Sequence, residues 1–130
     1  MTRFLLSWWK HLTARDLFVI GRVNRVGPKS SPFMTQVTLF GLLGFGLRLH
    51  VFHRADDGNF HDHPRAFVSL VLLGSYRESF PDGSSRIARP GSVQIRRAEC
   101  AHNVTPVTSP CVTVGCVTPV VRQWRKWRAE

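Results

Sequence analysis

The sequence has few cysteines, and none is spaced for pairing. Cys100, Cys111 and Cys116 are odd in number and form no C-x-x-C motif, which argues against a disulfide framework and a zinc knuckle. Long apolar runs are also missing. Residues 1–9, MTRFLLSWW, are too short for the apolar core of a signal peptide and lack its cleavage site, and no run approaches the roughly 20 residues of a membrane span. We therefore expect a cytoplasmic protein without a membrane partner.

Acidic residues are scarce as well. Eight Asp and Glu stand against 18 Lys and Arg, a formal net charge of +10 that favours anionic partners. The length of 130 residues suits a single domain over residues 1–130. Residues 120–130 interleave basic side chains with Trp124 and Trp127, a composition that could bind nucleic acid. We favour a terminal helix or strand whose tryptophans lie on the domain.

The N-terminal residues have a helical pattern. Apolar side chains recur at helical spacing between Phe4 and Leu12, which predicts a short amphipathic helix over residues 3–13. This helix would belong to a helical or extended arm of residues 1–20. We expect it to cover an apolar surface of the domain, with a membrane-surface anchor as the alternative.

From about residue 17 the pattern is typical of β-strands. Residues 47–54 alternate between one face that includes His53 and another that includes His50. Residues 67–78 are a nearly continuous apolar strand, and Pro and Asp-Gly follow as turn residues at 80–85. Short strands at roughly ten-residue spacing predict an antiparallel sandwich or barrel. On the strand from residue 67, the face that we expect to be interior comprises Phe67, Ser69, Val71 and Leu73.

Two histidines stand two residues apart in the segment NFHDHP. Residues i and i+2 of a strand point to one side, so His61 and His63 would present both imidazoles to the same interior. Two imidazoles are a partial metal site, because a transition metal usually needs a third protein ligand. The remaining histidines that could supply it are His11, His50, His53 and His102.

The spacing of histidines and glycines resembles the two motifs of the cupin superfamily. The H-x-H and closing glycine of the first motif match His61, His63 and Gly74, and the opening glycine and histidine of the second match Gly91 and His102. The resemblance covers about residues 35–120. It implies an all-β fold, a single RmlC-like jelly-roll barrel, with a metal at its mouth held by His61, His63 and His102.

The chain is also similar to small single-domain cupins of bacteria and phages. Those proteins carry H-D-H-P and G-x-Y-x-E, which are present here as residues 61–64 and as Gly74, Tyr76 and Glu78. Three positions depart from the general cupin pattern. They are Phe67 in place of the motif glutamate, residues 97–99 in place of P-x-G, and Pro106 in place of an asparagine.

The loss of the motif glutamate changes the charge of the expected site. Three neutral histidines leave the double positive charge of a metal uncompensated, which favours an anionic ligand or acidifies bound water. Glu78 or Glu99 could reach the mouth as ligand, general base or orienting group, and we favour Glu78. Tyr76 could be a proton donor or a wall of the pocket.

These observations predict a metal-dependent enzyme that acts on an anionic small molecule. We expect Fe(II), with Zn, Mn or Ni as alternatives, and Arg96 or Arg97 to attract the substrate. Thiol dioxygenases of the cupin superfamily use three histidines on iron, so the resemblance implies oxygenase chemistry first, with hydrolase or isomerase chemistry open. A homodimer formed through the sheets is a further expectation by analogy.

Other readings of the same residues remain open. The domain could be a non-catalytic module that binds a metal or ligand, or a basic barrel that binds nucleic acid or protein. It could also be a structural barrel whose histidines only form hydrogen bonds. Cys100 could be a nucleophile paired with a histidine, although packing as a small hydrophobic side chain is the simpler role of a cysteine.

Overall fold

The structure, a computed structural model, describes residues 17–55, 60–108 and 110–120 and the backbone of residues 126–127. These residues form β-strands joined by short turns. The strands are β1 (Phe18–Val26), β2 (Met34–Leu42), β3 (Phe45–Phe52), β4 (Phe60–His61), β5 (Phe67–Leu73), β6 (Tyr76–Ser79), β7 (Ser85–Ala88), β8 (Val93–Arg96), β9 (Asn103–Pro106), β10 (Cys111–Val117) and β11 (Lys126–Trp127).

The strands are arranged in two main antiparallel sheets. One has six strands in the order β1-β2-β3-β10-β5-β8, the other has three in the order β7-β6-β9, and β4 pairs separately with β11. The buried cluster of Val71, Tyr76, Ala88 and Cys111 draws on β5, β6, β7 and β10, so the core lies between the two main sheets.

The hairpin between β2 and β3 shows how local sequence sets the sheet. Leu43 and Gly44 are its two turn residues, and both have positive φ angles, 52° and 85°. Positive φ at both positions is the geometry of a type I′ turn, whose twist matches that of the flanking strands. Register then follows from the turn, and Leu42 pairs with Phe45.

At β3, the face of the six-stranded sheet that points toward the three-stranded sheet is the inner face and carries polar residues. The opposite, outer face carries apolar residues. Strand β3 alternates as predicted. Leu47 on one face is exposed, whereas His50 and Phe52 on the other face point toward the three-stranded sheet, and Phe52 packs against the core. The inner positions next to them are also polar and buried, among them Thr38, Ser69, Gln94 and Thr113. This inversion of the usual pattern gives the interior hydrogen-bonding groups and leaves apolar side chains outside.

The prediction of an all-β cupin-type architecture is confirmed, and the closed barrel is not. Among the described residues the strands form separate sheets, and β1 and β8 end the six-stranded sheet as edges. The sheet also begins earlier than residue 35, because β1 starts at Phe18. The predicted helix over residues 3–13 lies outside the described residues. In the part of the chain that the structure describes, no helix is long and apolar enough to cross a membrane.

Gly74 is predicted to tolerate no side chain. Its φ is +71°, and a Cβ there would overlap Pro110 O and lie 2.7 Å from Thr108 Oγ1. Gly74→Ala should therefore lower the free energy of unfolding by about 3 kcal/mol or more, from backbone strain plus steric overlap. Urea denaturation measures this loss.

Gly83 is the matched control for this substitution. Its φ is +87°, but no heavy atom would lie within 4 Å of an added Cβ. Gly83→Ala should cost only the strain, about 1 kcal/mol. Equal losses in the two variants would show that the contact with Pro110 does not matter.

Candidate metal centre

Two chain segments bring three histidines together. The backbone N–H of His61 donates to His102 O at 2.9 Å, and the N–H of His102 donates to His61 O at 2.9 Å. The N–H of His63 donates to Ala98 O at 2.9 Å. Residues 61–63 are therefore fastened to residues 98–102, which explains why histidines 39 residues apart become neighbours.

The imidazoles of these histidines converge on one point. Their ring centroids lie 4.8 to 5.0 Å apart, and one nitrogen from each ring lies within 4.8 Å of the others. Nε2 of His63 and Nε2 of His102 are 2.7 Å apart. Within the described ranges, His61, His63 and His102 form the group that could hold a metal ion.

Glu78 fixes the orientation of His102. Nδ1–H of His102 donates to Glu78 Oε2 at 2.5 Å, which leaves the lone pair of Nε2 directed at the other two histidines. The position of Glu78 follows from strand pairing. Glu78 on β6 lies opposite Val104 on β9, and Val104 is two residues after His102. Glu78 therefore lies behind His102, as an orienting group, and not among the converging nitrogens.

Arg96 completes this buried network. Its Nε donates to Glu78 Oε2 at 3.0 Å and its Nη2 donates to Glu78 Oε1. Burial alone would raise the pKa of Glu78, but the hydrogen bonds from His102 and Arg96 outweigh it and hold the pKa at about 2. Glu78 is therefore a carboxylate at neutral pH, and it neutralises a cation in the wall of the site.

The histidines of the cluster are held in their neutral form. Burial, with a smaller contribution from the neighbouring His102 and His61, lowers the pKa of His63 to about 2. Burial also lowers the pKa of His102, against the opposing effect of the hydrogen bond to Glu78. Metal ions bind the neutral imidazole, so the protein environment favours the form that a ligand needs.

Phe67 stands beside the cluster at the position of the missing motif glutamate. Its ring meets the ring of His63 edge-on at a centroid distance of 5.1 Å and lies 6.2 Å from that of His102. The side of the site where a carboxylate ligand was expected is thus an apolar wall. Glu99, the other carboxylate considered from the sequence, is exposed and lines an outer groove with Cys100.

Tyr76 lies in the core. It is buried with Val71, Ala88 and Cys111, and its ring packs against Phe52 at a centroid distance of 5.7 Å. Burial raises the pKa of Tyr76 and the Glu78 carboxylate raises it further, so its phenol keeps its proton. The structure therefore places Tyr76 as packing that supports the strand carrying Glu78.

Arg96 and Arg97 differ in exposure and in their contacts. The Arg96 side chain is only 12% exposed and is bound to Glu78, with its guanidinium over the Phe80 ring at 5.4 Å. Arg97 is exposed. Both line an open groove of about 740 Å³ together with Arg86, Phe80, Ile95, Glu99 and Cys100. Burial raises the pKa of Cys100, which favours the thiol over a nucleophilic thiolate.

His50, one of the histidines considered as a third ligand, is an interior residue outside the cluster. Gln36 Nε2–H donates to His50 Nε2 at 2.9 Å, and burial followed by the charge of Arg48 lowers the His50 pKa to about 4. His53 is exposed and lies 2.7 Å from Thr35 Oγ1. Strand alternation separates these two histidines, but only the sheet packing shows that the face of His50 is the inner one.

Comparison with known proteins identifies the fold through solved structures. No protein-family model matches the chain, and neither does any curated protein. A chain from the DMSP lyases RdDddP and RnDddQII aligns at TM-score 0.64 and 14% identity, covering 81% of this chain and 61% of that one. An RmlC-like cupin from Shewanella frigidimarina NCIMB 400 aligns at TM-score 0.60 and 16% identity, covering 77% of this chain and 85% of that one. KdgF from Halomonas sp. aligns at TM-score 0.60 and 16% identity, covering 78% of this chain and 89% of that one.

Proposed function

We propose that this chain, which has the RmlC-like cupin fold, binds one divalent transition metal ion through His61, His63 and His102 and is a metal-dependent enzyme for an anionic small molecule. The observation that carries the proposal is the convergence of the three imidazoles within 4.8 Å. A histidine that merely packed in the core would not need a buried carboxylate behind it to aim its nitrogen.

The donor set fits such an ion. Three imidazole nitrogens are typical of zinc and iron sites and leave further coordination positions for other ligands. The tautomer of His102 is set by Glu78, so its Nε2 carries the lone pair that a metal ligand needs. Fe(II) is our first choice and Zn, Mn or Ni are alternatives. When bound, the ion would supply a Lewis acid that polarises an oxygen- or sulfur-bearing group of the substrate.

The residues around the cluster support an anionic substrate. Phe67 contributes no charge at the site, so three neutral ligands leave the charge of the ion available to a substrate anion. The apolar ring also limits water on that side. Arg86 and Arg97 in the outer groove add positive potential, which raises the local concentration of anions. The groove is separated from the histidines by Arg96 and Glu78.

Two reaction classes compete within this proposal. Oxygenase chemistry of the thiol-dioxygenase type is first, because three histidines without a carboxylate are the ligand set that those cupins use. Lyase chemistry is second, and the observation in its favour is the alignment with DMSP lyases at TM-score 0.64. The fold itself supports both.

Elemental analysis of the purified chain tests the proposal. The protein is expressed separately with iron, zinc, manganese and nickel, and about one ion per chain is expected with at least one of them. Oxygen uptake with small thiol carboxylic acids then separates oxygenase from lyase chemistry. A chain that contains no metal under any of these supplies would overturn the proposal.

A further inference from the structure

We propose that the outer groove is a second binding site, which takes a phosphate monoester with an apolar body. The groove holds the exposed arginines Arg86 and Arg97. Arg96 and Glu78 lie between it and the histidine cluster. A ligand in the groove would therefore bind without touching the metal centre, and this inference does not depend on the metal ion or on the reaction.

The outer groove lies between the edges of the two main sheets. In the described part of the chain, β8 is an end strand of the six-stranded sheet and β7 is an end strand of the three-stranded sheet. Strand β8 contributes Ile95 and Arg96 to the lining, β7 contributes Arg86, and residues 97–100 follow β8. The volume of the groove, about 740 Å³, lies in the range of small-molecule sites, roughly 300–1,000 Å³.

Two guanidinium groups of the outer groove are available to a ligand. Among the described residues, ion pairs join Glu78 to Arg96 and to His102, and neither Arg86 nor Arg97 forms one. A phosphate monoester carries close to two negative charges at neutral pH and has three terminal oxygens, so it can accept hydrogen bonds from two guanidinium groups at once. A carboxylate has two oxygens and one charge, so a phosphate matches this pair of cations better.

Arg96 gives the outer groove a fixed wall. Its guanidinium donates to Glu78 Oε2 at 3.0 Å and to Ile95 O at 2.8 Å, and it lies over the Phe80 ring at 5.4 Å. Glu78 neutralises its charge, so the two exposed arginines are left to bind the phosphate. A wall that is already held in place costs less ordering free energy when a ligand binds.

The outer groove also offers apolar surface beside its charges. Ile95 is 71% exposed, and Phe80 and Cys100 are partly buried. Contact with these side chains favours a phosphate ester with an apolar body over inorganic phosphate. Glu99 is the exposed carboxylate of the lining, and its negative charge opposes an anion in the groove.

Calorimetric titration of the full-length chain with phenyl phosphate in low salt tests the site. We expect saturable binding with a Kd of about 1 mM or below, unchanged after treatment of the protein with a chelator. Arg86→Gln and Arg97→Gln should each raise the Kd about tenfold. Arg89→Gln is the matched control, because Arg89 is an exposed arginine close to Arg86 in the chain but outside the lining. It removes the same charge and should change the Kd less than about twofold.

Two further variants test the chemistry of the ligand. Ile95→Ser should raise the Kd for phenyl phosphate at least about threefold and leave the weaker binding of inorganic phosphate unchanged. Glu99→Gln removes the opposing carboxylate and should lower the Kd at least about twofold. Circular dichroism verifies that all variants fold, which is expected because the replaced side chains are exposed.

Several results would overturn the proposal. One is the absence of saturable binding up to about 10 mM, tenfold above the expected Kd. Another is binding that disappears on chelation, which would place the phosphate on a bound metal ion. Equal losses in Arg86→Gln and Arg89→Gln would show that only the net charge matters, and weaker binding in Glu99→Gln would place the anion elsewhere. Displacement of phenyl phosphate by a micromolar single-stranded oligonucleotide would assign the groove to a nucleic-acid backbone instead.

Discussion

Replacing His102 with alanine should remove the bound metal while leaving the fold intact. The substitution takes away one of three converging nitrogens, and two imidazoles at this spacing bind a divalent ion weakly. The backbone bridge to His61 survives, because it uses the N–H and C=O of residue 102. Metal content measured after gel filtration should fall from about one ion per chain to near zero, with an unchanged circular dichroism spectrum.

His53→Ala is the control for this loss. His53 is also a strand-associated histidine, but it is exposed and lies beside Thr35, away from the cluster. Its removal should leave the metal content at the wild-type value. A His102→Ala protein that keeps a full complement of metal would show that the ion binds elsewhere, and the three-histidine site would be rejected.

Replacing Glu78 with alanine should lower the free energy of unfolding by about 3–5 kcal/mol, which is the cost of removing one partner of a buried ion pair. Glu78 is only 1% exposed and accepts hydrogen bonds from both Arg96 and His102. Without it the Arg96 guanidinium is buried without its carboxylate. Urea denaturation of the metal-free protein isolates this effect from any contribution of bound ion.

The same substitution should weaken metal binding about 10- to 100-fold, because His102 loses the partner that fixes its tautomer and ring position. Glu78→Gln keeps the shape of the side chain and should show a smaller loss of both stability and affinity. Glu99→Ala removes an exposed carboxylate three residues before His102 and should change stability by less than about 0.5 kcal/mol. Similar losses in the Glu78 and Glu99 variants would contradict the role assigned to the buried network.

The histidine cluster could be predicted because each of its two halves lies in a short segment that resembles a cupin motif. His61 and His63 are two residues apart, and the glycine spacing around Gly91 locates His102 relative to its own strand and turn. The structure brings the three together through backbone hydrogen bonds between residues 61–63 and 98–102. The cupin fold was likewise evident from these motifs, and the alignment with RmlC-like cupin structures confirms it.

The sequence left three roles open for Glu78, and the orienting role could not be chosen among them, because it depends on a long-range pairing. Glu78 meets His102 only since β6 pairs with β9, and nothing in either segment alone specifies that register. Arg96 was predicted to bind substrate, but it reaches Glu78 from a third strand. Its positive charge is therefore largely used inside the protein.

The faces of the strands were only partly predictable. Alternation placed Phe67, Ser69 and Val71 on one interior face, as the structure has them. The same prediction was wrong for Leu73, which is 53% exposed. The cause is an extra residue on β5: Val112 and Thr113 of β10 pair with Leu73 and Val71, so Leu72 is unpaired in this ladder and the alternation shifts at Leu73. Three leucines and valines in succession give no sign of where such an extra residue lies, because each of them suits either face of a buried strand.

The bridge between His61 and His102 is a weaker connection than the pairing of the central strands. Strand β10 has a partner on both sides, whereas β4 has two residues and its link to residue 102 is an isolated pair of hydrogen bonds. Amide hydrogens in such a pair exchange with solvent by local opening, whereas those of a central strand exchange only when a much larger part of the sheet opens. We therefore expect the amides of His61 and His102 to exchange faster than those of β10, and an opening of this kind would let an ion reach the histidines without unfolding of the domain.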